Sequence, residues 1–97
     1  MDKQACYKEL AENLPMLRSR LGLSQKDLAD ILGTSRQTVT TIENTKDIKK
    51  WSVFMAIMLV FYFNPETRKI LEYINLPYRE LKESLQGKPK MPKGIVI

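Results

Sequence analysis

The chain has 97 residues, of which 43% are hydrophobic and 28% charged, and its formal net charge is +5. That length supports one compact core and is short for two, and the charge fraction is too ordinary to make disorder the default. With Cys6 as its one cysteine and no histidine, the chain lacks an intrachain disulfide framework, the usual ligands of a structural zinc site and the commonest general base.

Asp2 suits the N-cap of a first helix running through Tyr7, Leu10 and Ala11 toward Asn13. The start, Met1-Asp2-Lys3-Gln4, is polar and holds no apolar leader. Pro15 interrupts the first helix. A proline inside a helix removes a hydrogen bond and clashes with the preceding turn, whereas the first helical turn accepts one. Asn13 is therefore expected to cap a second helix through Leu14, Leu17 and Leu21, with one kinked helix from Lys3 to Leu21 as the alternative. Gly22 ends it. Ser24 caps the next helix, Asp27 is its capping-box partner, and Leu28, Ala29, Ile31 and Leu32 form the expected buried face. Gly33 stops that helix and Ser35 caps the following one, in which Val39 and Ile42 make a narrow apolar stripe.

Residues Asn44–Lys50 read as a polar loop. Trp51–Phe63 is apolar on every side, with Ser52 the hydrophilic exception before Tyr62. As a helix it reaches only about 20 Å against the roughly 30 Å of a bilayer core, so a buried helix is expected and a membrane anchor is not. Its neighbours are few, so apolar surface left uncovered on this helix or the last two is expected to form a two-fold interface. Asn64-Pro65-Glu66 combines a cap, a proline at the first helical position and an acid in the first turn, ahead of a helix through Ile70, Leu71 and Ile74. Pro77 separates a last short helix, Tyr78–Leu85, which Gly87 closes. Residues 88–97 hold two prolines, a glycine and three lysines and are expected as a flexible basic tail; Ile95-Val96-Ile97 is the one strand-like stretch. The expected fold class is all-α, a compact bundle of five to six helices in a single domain over residues 1–87. Cys6 is expected as a packed thiol and Trp51 as core.

The segment 25–44 meets the demands of a helix-turn-helix. Gly33 frees the short turn from Cβ crowding, Ala29 allows close helix crossing, and Leu28, Leu32, Val39 and Ile42 close a small core. At about 100° per residue from Arg36, Val39 and Ile42 fall near 300° and 240°, and Gln37, Thr41 and Asn44 near 100°, 140° and 80°. The outward face is thus polar, uncharged apart from Arg36, and rich in hydrogen-bonding groups. The charge agrees: residues 18–50 carry seven basic and four acidic side chains, a net +3, while residues 51–87 balance to zero. A polyanion partner fits that distribution.

Leu17–Asn44 carries Leu-Gly-Leu-Ser-Gln, Leu-Ala, Ile-Leu-Gly and Ile-Glu-Asn, and in this it resembles the Xre/Cro-type helix-turn-helix family of phage and bacterial repressors. The resemblance implies a bundle of the phage-repressor DNA-binding type, with base contacts from Arg36, Gln37 and Thr41. Arg36 suits guanine O6 and N7, Gln37 adenine N6 and N7, and Thr41 a thymine methyl. It implies backbone contacts from Gln25, Asn44, Lys46, Lys49 and Lys50, phosphate or helix-packing positions for Thr38 and Thr40, and a structural clamp between Arg18 and Glu43. Two positions depart from the family pattern. Thr45 stands where glycine is common, so Asn44 is expected to take the left-handed turn itself, and Thr34 replaces an aliphatic residue.

The expected function is that of a cytoplasmic, sequence-specific, double-stranded DNA-binding transcriptional regulator, a repressor acting as a homodimer through its C-terminal helices. The alternative is an antitoxin-like protein-interaction module that uses those apolar helices, with DNA binding secondary. No catalytic constellation, metal site, cofactor site, membrane segment or small-molecule ligand is evident in the sequence, so an enzyme is not expected.

Overall fold

The computed structural model describes residues 2–86, the side chains of 85 and 86 excepted. These residues form six helices and no strand: α1 (Lys3–Arg20), α2 (Gln25–Leu32), α3 (Arg36–Thr45), α4 (Trp51–Phe63), α5 (Pro65–Leu71) and α6 (Tyr78–Gln86). The expected tail 88–97, its strand-like end and the closing role of Gly87 lie outside the described residues.

The N-terminal region is one helix, not two. Asp2 caps α1 by accepting from the Ala5 N–H at 3.1 Å, and the helix continues through Pro15 to Arg20. Asn13 caps nothing; its side-chain amide donates to the Glu9 carbonyl at 2.8 Å. The physical reason is the stripe of Cys6, Tyr7, Leu10, Ala11, Leu14 and Leu17, all buried and all on one face across the proline. Burying that stripe against α3, α4 and α5 holds both halves on one axis and offsets the lost hydrogen bond.

Phe54, Ile57 and Phe61 of α4 are fully buried at the centre of the core. Trp51 is half-buried, stacked on Phe54 at 4.8 Å and tilted against Tyr7 at 6.1 Å, with the Lys3 ammonium 4.7 Å from its ring. Cys6 is buried beside them, and burial pushes its thiol above the ordinary value. The side of α4 holding Leu59, Tyr62 and Phe63 is open, with Phe63 67% exposed. None of the described helices is long and apolar enough to cross a membrane.

Asn64 occupies the cap position of α5 but its side chain makes no cap bond there; it turns back to donate to the Val60 carbonyl. Thr67, fully buried, donates to the Phe61 carbonyl at 2.7 Å and so ties α5 to the last turn of α4. α5 stops at Leu71, short of Ile74, which is nonetheless buried in the following turn. That turn is held to α1 where the Asn75 N–H donates to the Glu9 carboxylate at 3.2 Å.

Candidate nucleic-acid interface

Local chemistry sets both helix starts and the turn between them. Ser24 and Asp27 close a full capping box, the Ser24 hydroxyl accepting from the Asp27 N–H at 3.0 Å and the Asp27 carboxylate from the Ser24 N–H at 2.9 Å. Those bonds hold the Asp27 carboxyl below its usual range. Gly33 takes the left-handed conformation, φ 71° and ψ 31°, which lets the Thr34 N–H return to the Ala29 carbonyl at 2.9 Å. Ser35 then caps α3 by accepting from the Thr38 N–H. Leu28, Ala29, Val39 and Ile42 are buried between the two helices, and Leu32 is half-buried against the core.

Ile31 departs from expectation, being 55% exposed. α3 and α4 cover only the Leu28–Ala29 side of α2, and Ile31 lies beyond their reach.

The exit from α3 also differs. The helix runs through Thr45, whose hydroxyl donates to the Thr41 carbonyl at 2.7 Å. The left-handed residue is Lys46, φ 55° and ψ 44°, and not Asn44. The reversal at Lys46 carries the chain inward so that Ile48 is buried to 1%. The sequence reading as a polar loop missed that anchor; a lone isoleucine among Asn, Lys and Asp was its signal. Burying an isoleucine contributes about 1.5–3 kcal/mol, more than the roughly 1–2 kcal/mol that a non-glycine residue loses in the left-handed region.

Arg36, Gln37 and Thr41 are all exposed on α3, Gln37 and Thr41 opposite Val39 and Ile42 and Arg36 on the flank. The Gln37 amide donates to the Thr41 hydroxyl at 3.3 Å, a long bond that a ligand can replace. Asn44 and Lys46 are exposed at the end of the helix, and Lys50 at the N-cap of α4. Lys49 is exposed but paired with Asp47 at 2.8 Å, and this bond holds the Asp47 carboxyl below its usual range. Thr38 is half-buried, its hydroxyl 3.1 Å from that of Ser35.

Behind this face, Arg18 of α1 grips Glu43 of α3 with two bonds, Nε to Oε2 at 2.6 Å and Nη2 to Oε1 at 2.9 Å. Its Nη1 donates to the Leu23 carbonyl at 2.9 Å, so one guanidinium ties α1, the α1–α2 turn and α3 together. Glu43 also accepts from the Gln25 amide at 3.0 Å, and Thr40 donates to the other end of that amide at 2.7 Å. Burial opposes ionisation of Glu43, but the bonds from Arg18 and Gln25 and the Arg18 charge outweigh it and hold the carboxyl below its usual range. Three or more metal-ligating side chains do not gather anywhere among the described residues.

A family described as helix-turn-helix domain matches residues 9–69, from the middle of α1 into α5. Comparison with curated proteins and with solved structures gives no match.

Proposed function

Because the chain belongs to the helix-turn-helix domain family, we propose that it is a sequence-specific regulator of transcription that binds double-stranded DNA. In this reading it is a cytoplasmic repressor of the Xre/Cro type that lays α3, entered from its cap at Ser35, into the major groove. The observation that carries the reading is the joint exposure of Arg36, Gln37 and Thr41 at the start of a helix whose opposite face is locked into the core. Arg36 and Gln37 each present a planar fork that matches a base edge, and Thr41 offers a methyl one turn later. Gln25, Thr38, Asn44, Lys46, Lys49 and Lys50 flank that face as phosphate contacts. Lys49 lies in solvent and its pair with Asp47 is screened there, so a phosphate can displace Asp47.

The C-terminal helices supply the partner in this reading. α4, α5 and α6 border a groove of about 510 Å³ lined by Met55, Met58, Leu59, Phe63, Leu71 and Leu81, with no residue of α2 or α3 in its wall. A second copy seated there leaves both recognition helices free. Residues 51–87 carry no net charge, so two such faces meet without net repulsion. One copy offers three base-reading side chains, too few to select a site among the millions of competitors in a genome; two copies double the readout over half-sites about one helical turn apart.

Selection from a random duplex library tests the reading. The expected result is an enriched, two-fold symmetric site whose affinity falls steeply with salt; enrichment of no duplex would sink it. Arg36→Ala is expected to cost about 1–3 kcal/mol on that site and to relax a single base position. A loss that is equal on every sequence would make Arg36 a phosphate contact instead.

A further inference from the structure

The family resemblance leaves Thr40 either touching a phosphate or packing against a helix, and the hydrogen bonds around it decide between the two. A glutamine side chain has one end that only accepts and one that only donates, and a carboxylate only accepts. Glu43, already fixed by two bonds from Arg18, therefore dictates which end of Gln25 faces it: the amide nitrogen, at 3.0 Å. That leaves the Gln25 oxygen facing Thr40 at 2.7 Å, where the hydroxyl must be the donor. A threonine hydroxyl has a single proton. Having given it to Gln25, Thr40 has none for a phosphate, which itself only accepts. The Gln25 amide nitrogen carries two hydrogens and Glu43 takes one, so one N–H remains for a ligand.

We infer that Thr40 is a positioning residue and not a DNA contact: with Glu43 and Arg18 it locks the Gln25 amide so that its remaining N–H is the phosphate donor. The relay runs from the Leu23 carbonyl through Arg18, Glu43 and Gln25 to Thr40, over bonds of 2.6–3.0 Å. It joins the residue that anchors the backbone to the helix that reads bases, and so fixes the register between the two. Amides left free to rotate lose that donor for part of the time and must be ordered on binding. The inference rests on the DNA-binding reading above.

A double-mutant cycle on the selected duplex tests it. Thr40→Val keeps the shape and removes the hydroxyl; affinity is expected to fall about five-fold, in line with one lost hydrogen bond. Thr40→Ser should retain wild-type affinity. In a Gln25→Ala background Thr40→Val should cost nothing further, because the group it positions is gone. Ethylation interference gives a second readout: the same single phosphate should lose its signal in Gln25→Ala and Thr40→Val, with the other phosphates unchanged. If Thr40→Val weakens Gln25→Ala by the same factor as it weakens the wild type, or erases a different phosphate, Thr40 contacts DNA itself and the inference is wrong. It is equally wrong if Thr40→Val binds as tightly as the wild type. Failure of the wild type to select any duplex overturns the functional reading instead, so the two failures are distinct.

Discussion

Glu43 is the residue on which the candidate interface turns, because its carboxylate receives two bonds from Arg18 and one from Gln25. Glu43→Ala strands the largely buried guanidinium of Arg18, and removing one partner of such a pair costs about 3 kcal/mol, or a fall in Tm of order 10 °C at this chain length. Thermal unfolding measures it; a fall of only a degree or two would make the clamp a surface pair. The same group sets a pH dependence. A carboxyl depressed on folding contributes stability that is fully present above its unfolded value, about 4.3, and is lost as pH falls through the lower folded value. Tm should therefore drop in acid below about pH 4, and Glu43→Gln should drop less steeply than the wild type. Asp27 and Asp47 are lowered too and act in the same direction, so the difference between the two slopes is the quantity that isolates Glu43; identical slopes would exclude it. At Gly33 an added Cβ meets nothing within 4 Å, and only the positive φ opposes it. Gly33→Ala should accordingly cost about 1 kcal/mol of stability without displacing α3, so the enriched DNA site is expected to be unchanged.

Among the elements, α1 holds the clearest conflict between local and tertiary preference. Pro15 sits in its interior, exposed, with no N–H to give the Ala11 carbonyl. Because the buried stripe on the far side keeps the helix continuous, the site is ready for a better helix former. Pro15→Ala is expected to raise stability by about 1–3 kcal/mol, toward the upper figure if α1 is unstrained, which calorimetry reads as an increase of at least about 4 °C in Tm. No increase would mean that the surrounding helix has already adjusted to the ring. α4 and α5 behave as one unit for a different reason. Asn64 closes the end of α4 while Thr67 reaches back to Phe61, so the signal Asn-Pro-Glu starts α5 through its proline and not through the asparagine cap. Tyr78 opens α6 with its hydroxyl pushed up to about 12, chiefly by burial and further by Glu72 and Glu9, so it stays neutral and uncharged beside the groove.

For the whole molecule, polar and apolar surfaces are segregated: the proposed reading face lies on α3 and the open apolar face on α4–α6. Phe63 tests the proposed dimer cleanly, since at 67% exposure it supports little of the core. Phe63→Lys should convert a dimer to a monomer in analytical ultracentrifugation and leave the monomer's own stability nearly unchanged. It should lose affinity for the full two-fold site while keeping its weak affinity for a half-site. Persistence of the dimer would put the interface elsewhere, and a wild type that is monomeric at high concentration would leave the groove free for a different protein.

The sequence by itself determined the all-α class, the caps at Asp2, Ser24 and Ser35, the turn at Gly33, the bounds of Trp51–Phe63 and the buried pair Val39 and Ile42. Each of these depends on residues within a turn or two of chain, where capping geometry, left-handed backbone and helical periodicity act directly. The family resemblance rests on the same local signals; Arg18 and Glu43, 25 positions apart in the chain, meet at 2.6 Å. Tertiary structure decided what depends on distant neighbours. Pro15 remains inside a helix because α3, α4 and α5 bury the stripe on either side of it. Ile31 is exposed because no helix among the described residues covers it, and Ile48 is buried because the reversal at Lys46 delivers it to the core. The Thr40–Gln25 bond spans 15 positions and joins two helices that periodicity treats separately. Sequence pattern says which way a side chain faces on its own helix; only packing says what stands opposite it, and at this interface the groups standing opposite set which hydrogens remain for a ligand.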